Sequence, residues 1–231
     1  MKLLNTESRS GSFVILIYLV IEAALFIISE IVLRLMGSEL IGEIRYAAIV
    51  LNLLIAGIWF FRYGLKDVKD HSNILIGGLL MTAVADIFLT LIGTENYYLH
   101  GFICFCIVEL IYALYLKTSA FGYLIRFNIY IIALIVFVLT GKATVVYCAG
   151  LLNIVLVLTN ALSAWVTEKM PTPLYFKIGL TLFFLCDISV VGCGATTGTA
   201  YEVFYTLAWL FYAPSQVLIT LSYLKSIQES Y

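Results

Sequence analysis

The sequence predicts an all-α membrane protein: a polytopic bundle of eight transmembrane helices forming a single integral membrane domain over residues 1–231. Three observations lead there. Hydrophobic residues make up 63% of the chain and charged residues 12%, with a mean hydropathy of +1.05, outside the usual range of a soluble domain. A helical crossing needs about 20 apolar residues, and eight runs qualify: 13–33, 44–61, 73–92, 99–116, 121–139, 143–165, 174–193 and 201–224. Finally, basic residues alternate between connections as the positive-inside rule requires. Lys2, Arg9, Arg62, Lys66, Lys69, Lys117, Arg126, Lys169, Lys177 and Lys225 fall on one face, and only Arg34, Arg45 and Lys142 on the other. Removing a helix would destroy this bias, so both termini are expected in the cytoplasm of a multi-pass cell-membrane protein.

Taken in order, the first run carries Glu22 and Glu30 and lacks a small-residue cleavage site, so it reads as a retained helix. The second has Arg45 at its start and stops before Arg62. The third places Thr82, Asp86 and Thr90 at four-residue spacing, hence on one helical face. The fourth adds Cys106, Glu109 and Tyr112 at three-residue spacing. The fifth must tolerate Arg126 near one end, which snorkelling to the interface allows. Asn153 and Asn160 lie seven apart in the sixth, and the seventh holds Asp187. The eighth has Pro214, a possible kink, and a stripe of Gln216, Thr220 and Tyr223. Short connections such as Thr140-Gly141-Lys142 favour antiparallel neighbours.

Two acids stand out. Asp86 and Asp187 each sit inside an apolar run, each reads Asp-Ile, and each is followed by a glycine, Gly93 and Gly194. An ionised Asp at mid-membrane costs about 2.5 to 3.5 kcal/mol on insertion scales, so such a residue is expected to face the bundle interior and to work. Each Asp lies about 13 residues, or roughly 20 Å, beyond its helix start, on helices running in the same direction. Matched depth follows, with the two carboxyls expected across a common pocket within about 10 Å, the upper range for paired carboxylates. The repeat also suggests helices one to four and five to eight as two parallel four-helix units.

Several classes are excluded by what is missing. A net charge of −1 without a basic patch argues against nucleic-acid binding. The five cysteines, Cys104, Cys106, Cys148, Cys186 and Cys193, fall in or beside apolar runs and read as small hydrophobes. No HExxH or cysteine cluster offers a zinc site, and no Walker-type loop accompanies Gly77 and Gly78, so neither metal nor cofactor is expected. The last helices hold no deep Lys for a retinal Schiff base. No Lys or Arg lies deep in any run to neutralise the acids, and desolvation favours the neutral form of a carboxyl. Interhelical hydrogen bonding accounts for Asn153, Asn160 and Thr82 as readily as chemistry does, and the Tyr-rich ends, Tyr97, Tyr98, Tyr201 and Tyr205, read as interface belts.

The stretches Ala85-Asp86-Ile87-Phe88-Leu89, Glu109-Leu110-Ile111-Tyr112, Cys186-Asp187-Ile188 and Tyr212-Ala213-Pro214-Ser215-Gln216 resemble the YhhN-type lysoplasmalogenase family of eight-helix membrane proteins. The resemblance covers most of the chain. It departs from the family pattern at Ala85 and Cys186, where Gly and Ser usually precede the two Asp, and at Glu109, where a His usually stands. What it implies is hydrolysis of the vinyl-ether bond of a lysophospholipid, releasing a fatty aldehyde and a glycerophospho-alcohol. Asp86 and Asp187 are then the catalytic pair, and Glu109, Tyr112, Tyr212, Gln216, Asn153 and Thr82 are substrate-binding residues. The residues suit that chemistry, because vinyl-ether hydrolysis needs a carboxylic acid to protonate carbon and a carboxylate to stabilise the cation and activate water. A lipid substrate entering sideways between helices would explain a polar site within a membrane bundle. The competing reading is a proton-coupled transporter or receptor using the same acids, against which no helix reads as broken at mid-span. A non-catalytic lipid-binding bundle is the third.

Overall fold

A computed structural model describes the backbone of residues 2–36, 40–67, 71–141, 143–166 and 172–229. Lys69, Lys142 and Lys169 of the charge pattern lie outside these residues. In a bilayer core every backbone N–H and C=O must be satisfied within the segment, so long apolar runs are driven into helices. The helices are α1 (Lys2–Met36), α2 (Ile41–Arg62), α3 (Ile74–Asp86), α4 (Glu95–Tyr115), α5 (Ala120–Leu139), α6 (Val145–Val166), α7 (Leu174–Ala195) and α8 (Thr199–Glu229). All eight spans are long and apolar enough to cross a membrane. Side-chain caps start two of them: Ser119 Oγ accepts from Gly122 N at 3.2 Å for α5, and Thr144 Oγ1 from Tyr147 N at 3.3 Å for α6. The first and last helices outrun their apolar stretches, α1 toward the N-terminus and α8 toward the C-terminus, and α8 passes through Pro214 without ending.

Burial sorts the helices into a centre and a rim. α8 buries 56% of its apolar stretch and α5 only 6%, with α1 at 17%, so α1 and α5 lie at the rim. The packing repeats itself. α3 lies against α4 as α7 lies against α8, and α2 meets α8 as α6 meets α4. Four residue pairs follow the same scheme: Asn52 and Asn153, Gly78 and Gly179, Asp86 and Asp187, and Gly93 and Gly194, each 101 positions apart. The glycine pair shows why the spacing matters. A Cβ on Gly78 would stand 2.4 Å from the Tyr112 ring of α4, and one on Gly179 would stand 2.9 Å from Ile219 and 3.2 Å from the Ser215 carbonyl of α8. Small residues at these points let helix backbones approach where lipid supplies no hydrophobic drive.

Three sequence expectations are corrected. The third helix is not uniform: immediately after Asp86 its winding changes from α to a π-helix over Ile87–Ile92, which closes on Gly93 at φ 60°. A π-turn widens the helix and is frequently found beside functional residues. It is held from two sides, since a Cβ on Gly42 of α2 would come within 2.6 Å of the Thr90 carbonyl and one on Gly101 of α4 within 2.3 Å of the Leu89 side chain. Second, Arg126 does not snorkel out. It is buried, its Nη2 donates to Thr118 Oγ1 at 3.1 Å and Ser163 Oγ at 3.3 Å, and its guanidinium lies over the Tyr123 ring. Third, one intramembrane acid does have a basic partner, because Arg45 Nη2 lies 3.1 Å from Glu30 Oε1.

Candidate functional site

Asp86 closes the last α-turn of α3 and is 2% exposed. Its Oδ1 accepts from Thr90 Oγ1 at 3.0 Å, one turn along the π-segment, and its Oδ2 accepts a short bond from the Tyr212 hydroxyl of α8. Both oxygens are thus engaged by neutral donors. Tyr212 is fixed in turn by its ring, which meets Trp209 at 5.7 Å, Phe183 at 5.7 Å and Phe105 edge-on at 6.3 Å.

Asp187 belongs to α7, and its Oδ2 accepts from Asn153 Nδ2 of α6 at 2.8 Å. The repeat is functionally unequal here. Asn153 serves the acid of the next helix, α7, whereas Asn52 at the matching position of α2 serves the preceding one: it donates to Glu22 Oε1 at 3.0 Å and accepts from Tyr18 at 2.5 Å and Thr220 at 3.1 Å. That second cluster ties rim helix α1 to the centre. Interhelical hydrogen bonds of this kind contribute about 0.6 kcal/mol each on average, up to roughly 2.

A third carboxyl joins the two aspartates. Glu109 of α4 is fully buried; Asn160 Nδ2 donates to its Oε2 at 2.6 Å and to its backbone carbonyl at 2.7 Å. Glu109, Cys106 and Asp187 lie within electrostatic reach of one another, and Cys186 within reach of both Asp86 and Asp187. Phe105 precedes Glu109 by four residues, Phe183 precedes Asp187 by four, and the two rings meet edge-on at 5.5 Å. Asp86 thus meets this aromatic cluster through Tyr212, and Glu109 and Asp187 stand one helical turn beyond its other two rings. Asp86 and Asp187 make no ion pair among the described residues.

The remaining predicted residues line the same interior. Tyr112 and Thr82 are buried, Tyr112 beside Gly78 and within reach of Glu109 and Tyr212. Gln216 is fully buried one turn beyond Tyr212, and its Oε1 receives no hydrogen bond among the described residues; the same holds for Glu109 Oε1, Asn153 Oδ1 and Asn160 Oδ1. Leaving a buried acceptor unpaired costs about 1–3 kcal/mol, so these oxygens stand ready for a hydrogen-bond donor. Sequence reasoning missed Phe105 and Phe183 as site residues, although their four-residue spacing from Glu109 and Asp187 is a helical-face signal. It also missed Asn52, whereas the interhelical hydrogen bond expected of Asn160 is present, made to Glu109.

Together these features define a polytopic α-helical membrane protein with a buried polar site built from carboxyls on three helices. The chain belongs to the YhhN family, whose profile matches residues 44–223, from the start of α2 to near the end of α8 and across every site residue named above. No curated protein and no solved structure matched the chain.

Proposed function

We propose that this protein is a membrane-embedded hydrolase that cleaves the vinyl-ether bond of a lysoplasmalogen. The observation that carries the reading is that Asp86, buried on α3, and Asp187, half-buried on α7, hydrogen-bond only neutral donors among the described residues. Membership of the YhhN family fits the same function.

The chemistry divides between the two acids. Both oxygens of Asp86 accept hydrogen bonds, so it is arranged as a carboxylate. Asp187 accepts one bond, on Oδ2, which leaves Oδ1 for a proton. Asp187 in its acid form protonates the β-carbon of the vinyl ether, and the π-electrons of the double bond form the new C–H bond, leaving an oxocarbenium ion. Asp86 stabilises that cation and takes a proton from the water that adds to it. The hemiacetal collapses as Asp86 returns its proton to the glycerol oxygen and the C–O bond breaks, while the hemiacetal hydroxyl gives its proton to the Asp187 carboxylate as the C=O bond forms; this releases the fatty aldehyde and the glycerophospho-alcohol and restores both acids. One water is consumed, and no redox step is involved.

The test is aldehyde release from lysoplasmalogen by purified, monodisperse protein in detergent. Release that depends on both aspartates supports the proposal; folded protein that releases none rejects it. One observation favours a second reading, a proton-coupled transporter: α3 changes its winding at an acid, as discontinuous transporter helices do. That reading takes over if reconstituted protein shows flux sensitive to Asp86→Asn without hydrolysis.

A further inference from the structure

Arg45 stands near the start of α2, at the same end of the bundle as the start of α8. Its side chain is 7% exposed. The guanidinium lies over two rings of α8, with Cζ 4.8 Å from the centroid of Tyr205 and 4.8 Å from that of Trp209. These two cation–π contacts hold the group in place and leave its edge nitrogens for hydrogen bonding. One edge nitrogen, Nη2, meets Glu30. The Arg45 Nε, however, is buried with no acceptor among the described residues, and so is the Nε1 of Trp209 beside it. Two adjacent buried N–H donors without acceptors, one of them cationic, make a built recess for an anion. Tyr205, expected in an interface belt, is part of this recess.

The recess is joined to the candidate active site and, through Glu30, to a groove on α1. Trp209 packs on Tyr212, whose hydroxyl donates to Asp86. In the other direction, Glu30 also lines a groove of about 260 Å³ on α1 with Phe26, Ile27 and Ile31. The resulting order is groove, Glu30 carboxylate, Arg45 guanidinium, Trp209, Tyr212, Asp86. It matches the order of groups along a zwitterionic lysophospholipid: ammonium, phosphate, glycerol, then the ether bond.

We infer that the Glu30–Arg45 pair is a headgroup site for a zwitterionic single-chain phospholipid, with the phosphate on Arg45 and Trp209 Nε1 and the ammonium on Glu30. This rests on the reading of Asp86 as part of a lipid-hydrolysing site. Arg45 and Glu30 pair with each other when no lipid is bound, which offsets the cost of burying either charge alone. Binding exchanges that one contact for two. A phosphate without an ammonium would meet the Glu30 carboxylate as a like charge, so the pair also selects against anionic headgroups.

The experiment measures binding by isothermal titration to purified protein, using three ligands without a vinyl ether: a 1-O-alkyl lysophosphatidylethanolamine, a 1-O-alkyl lysophosphatidic acid and a 1-O-alkylglycerol. Wild type should prefer the first. Arg45→Gln should weaken both phosphate-bearing ligands about tenfold or more, the loss of a charge-assisted hydrogen bond, and leave the alkylglycerol unchanged. Glu30→Gln should move the two phosphate ligands in opposite directions, tightening the anionic and weakening the zwitterionic one. That crossing decides the matter even if Arg45→Gln does not fold, because a purely structural ion pair cannot produce it. Equal effects of Glu30→Gln on all three ligands, or wild-type binding by folded Arg45→Gln, would overturn the site. Because none of the ligands can be hydrolysed at a vinyl ether, the outcome is independent of turnover. Selective binding without aldehyde release from lysoplasmalogen leaves this site standing and rejects the hydrolase.

Discussion

Replacing Tyr212 by Phe removes a single oxygen from the candidate site and leaves the ring. Its contacts with Phe105, Phe183 and Trp209 involve the ring alone, so the aromatic cluster should persist. What is lost is one of the two donors to the Asp86 carboxylate, the other being Thr90 at 3.0 Å. A hydrogen bond to a charged group contributes about 1.5–3 kcal/mol, and each 1.36 kcal/mol is tenfold in rate, so kcat should fall about 10- to 150-fold if Asp86 acts as a carboxylate. A bond to a neutral acid contributes only about 0.5–1.5 kcal/mol, which caps the loss near tenfold. Thr90→Val removes the other donor and should act in the same direction. The assay is aldehyde release under saturating lysoplasmalogen, with melting temperature measured alongside. A kcat within twofold of wild type in folded Tyr212→Phe would refute the assignment of Asp86 as the working carboxylate.

Asp86→Asn and Asp187→Asn keep side-chain size but lose the acid–base function, and each should reduce aldehyde release by about 10² to 10⁴ without unfolding the protein; near-full activity would make both acids structural. Glu109→Gln keeps a side chain that Asn160 can still bond, so its effect should be milder than either, as steady-state rates will show. Gly42→Leu drives a side chain into the Thr90 carbonyl at the π-segment and should cost about 1–3 kcal/mol, lowering the melting temperature by roughly 2 to 12 °C. Gly57→Leu, where a Cβ meets nothing within 4 Å, is the control and should not lower it. A topology reporter at the C-terminus should give the cytoplasmic signal and one in the connection before Glu95 the opposite, and matching signals would exclude an eight-span arrangement with a cytoplasmic C-terminus.

The amino-acid sequence by itself determined the eight spans, because hydropathy is a local sum and a bilayer forces each long apolar run into a helix. It also singled out Asp86 and Asp187, since a carboxyl in such a run is costly wherever the neighbouring helices lie. Tertiary structure alone decided which groups meet. Tyr212 reaches Asp86 across 126 positions and Asn160 reaches Glu109 across 51, and neither bond follows from spacing along a helix. Each depends on how a helix is rotated about its axis, and in spans this apolar the few polar residues do not fix that rotation. Packing does, as where Gly78 admits the ring of Tyr112 and Gly179 admits Ile219. The π-segment after Asp86 was hidden for the same reason: Ile87–Ile92 reads as ordinary helix, and its winding belongs to a segment held between Gly42 and Gly101 of its neighbours. Glu30 and Arg45 likewise looked like separate charges near two helix ends until the packing of α1, α2 and α8 placed them together, with Arg45 over Tyr205 and Trp209.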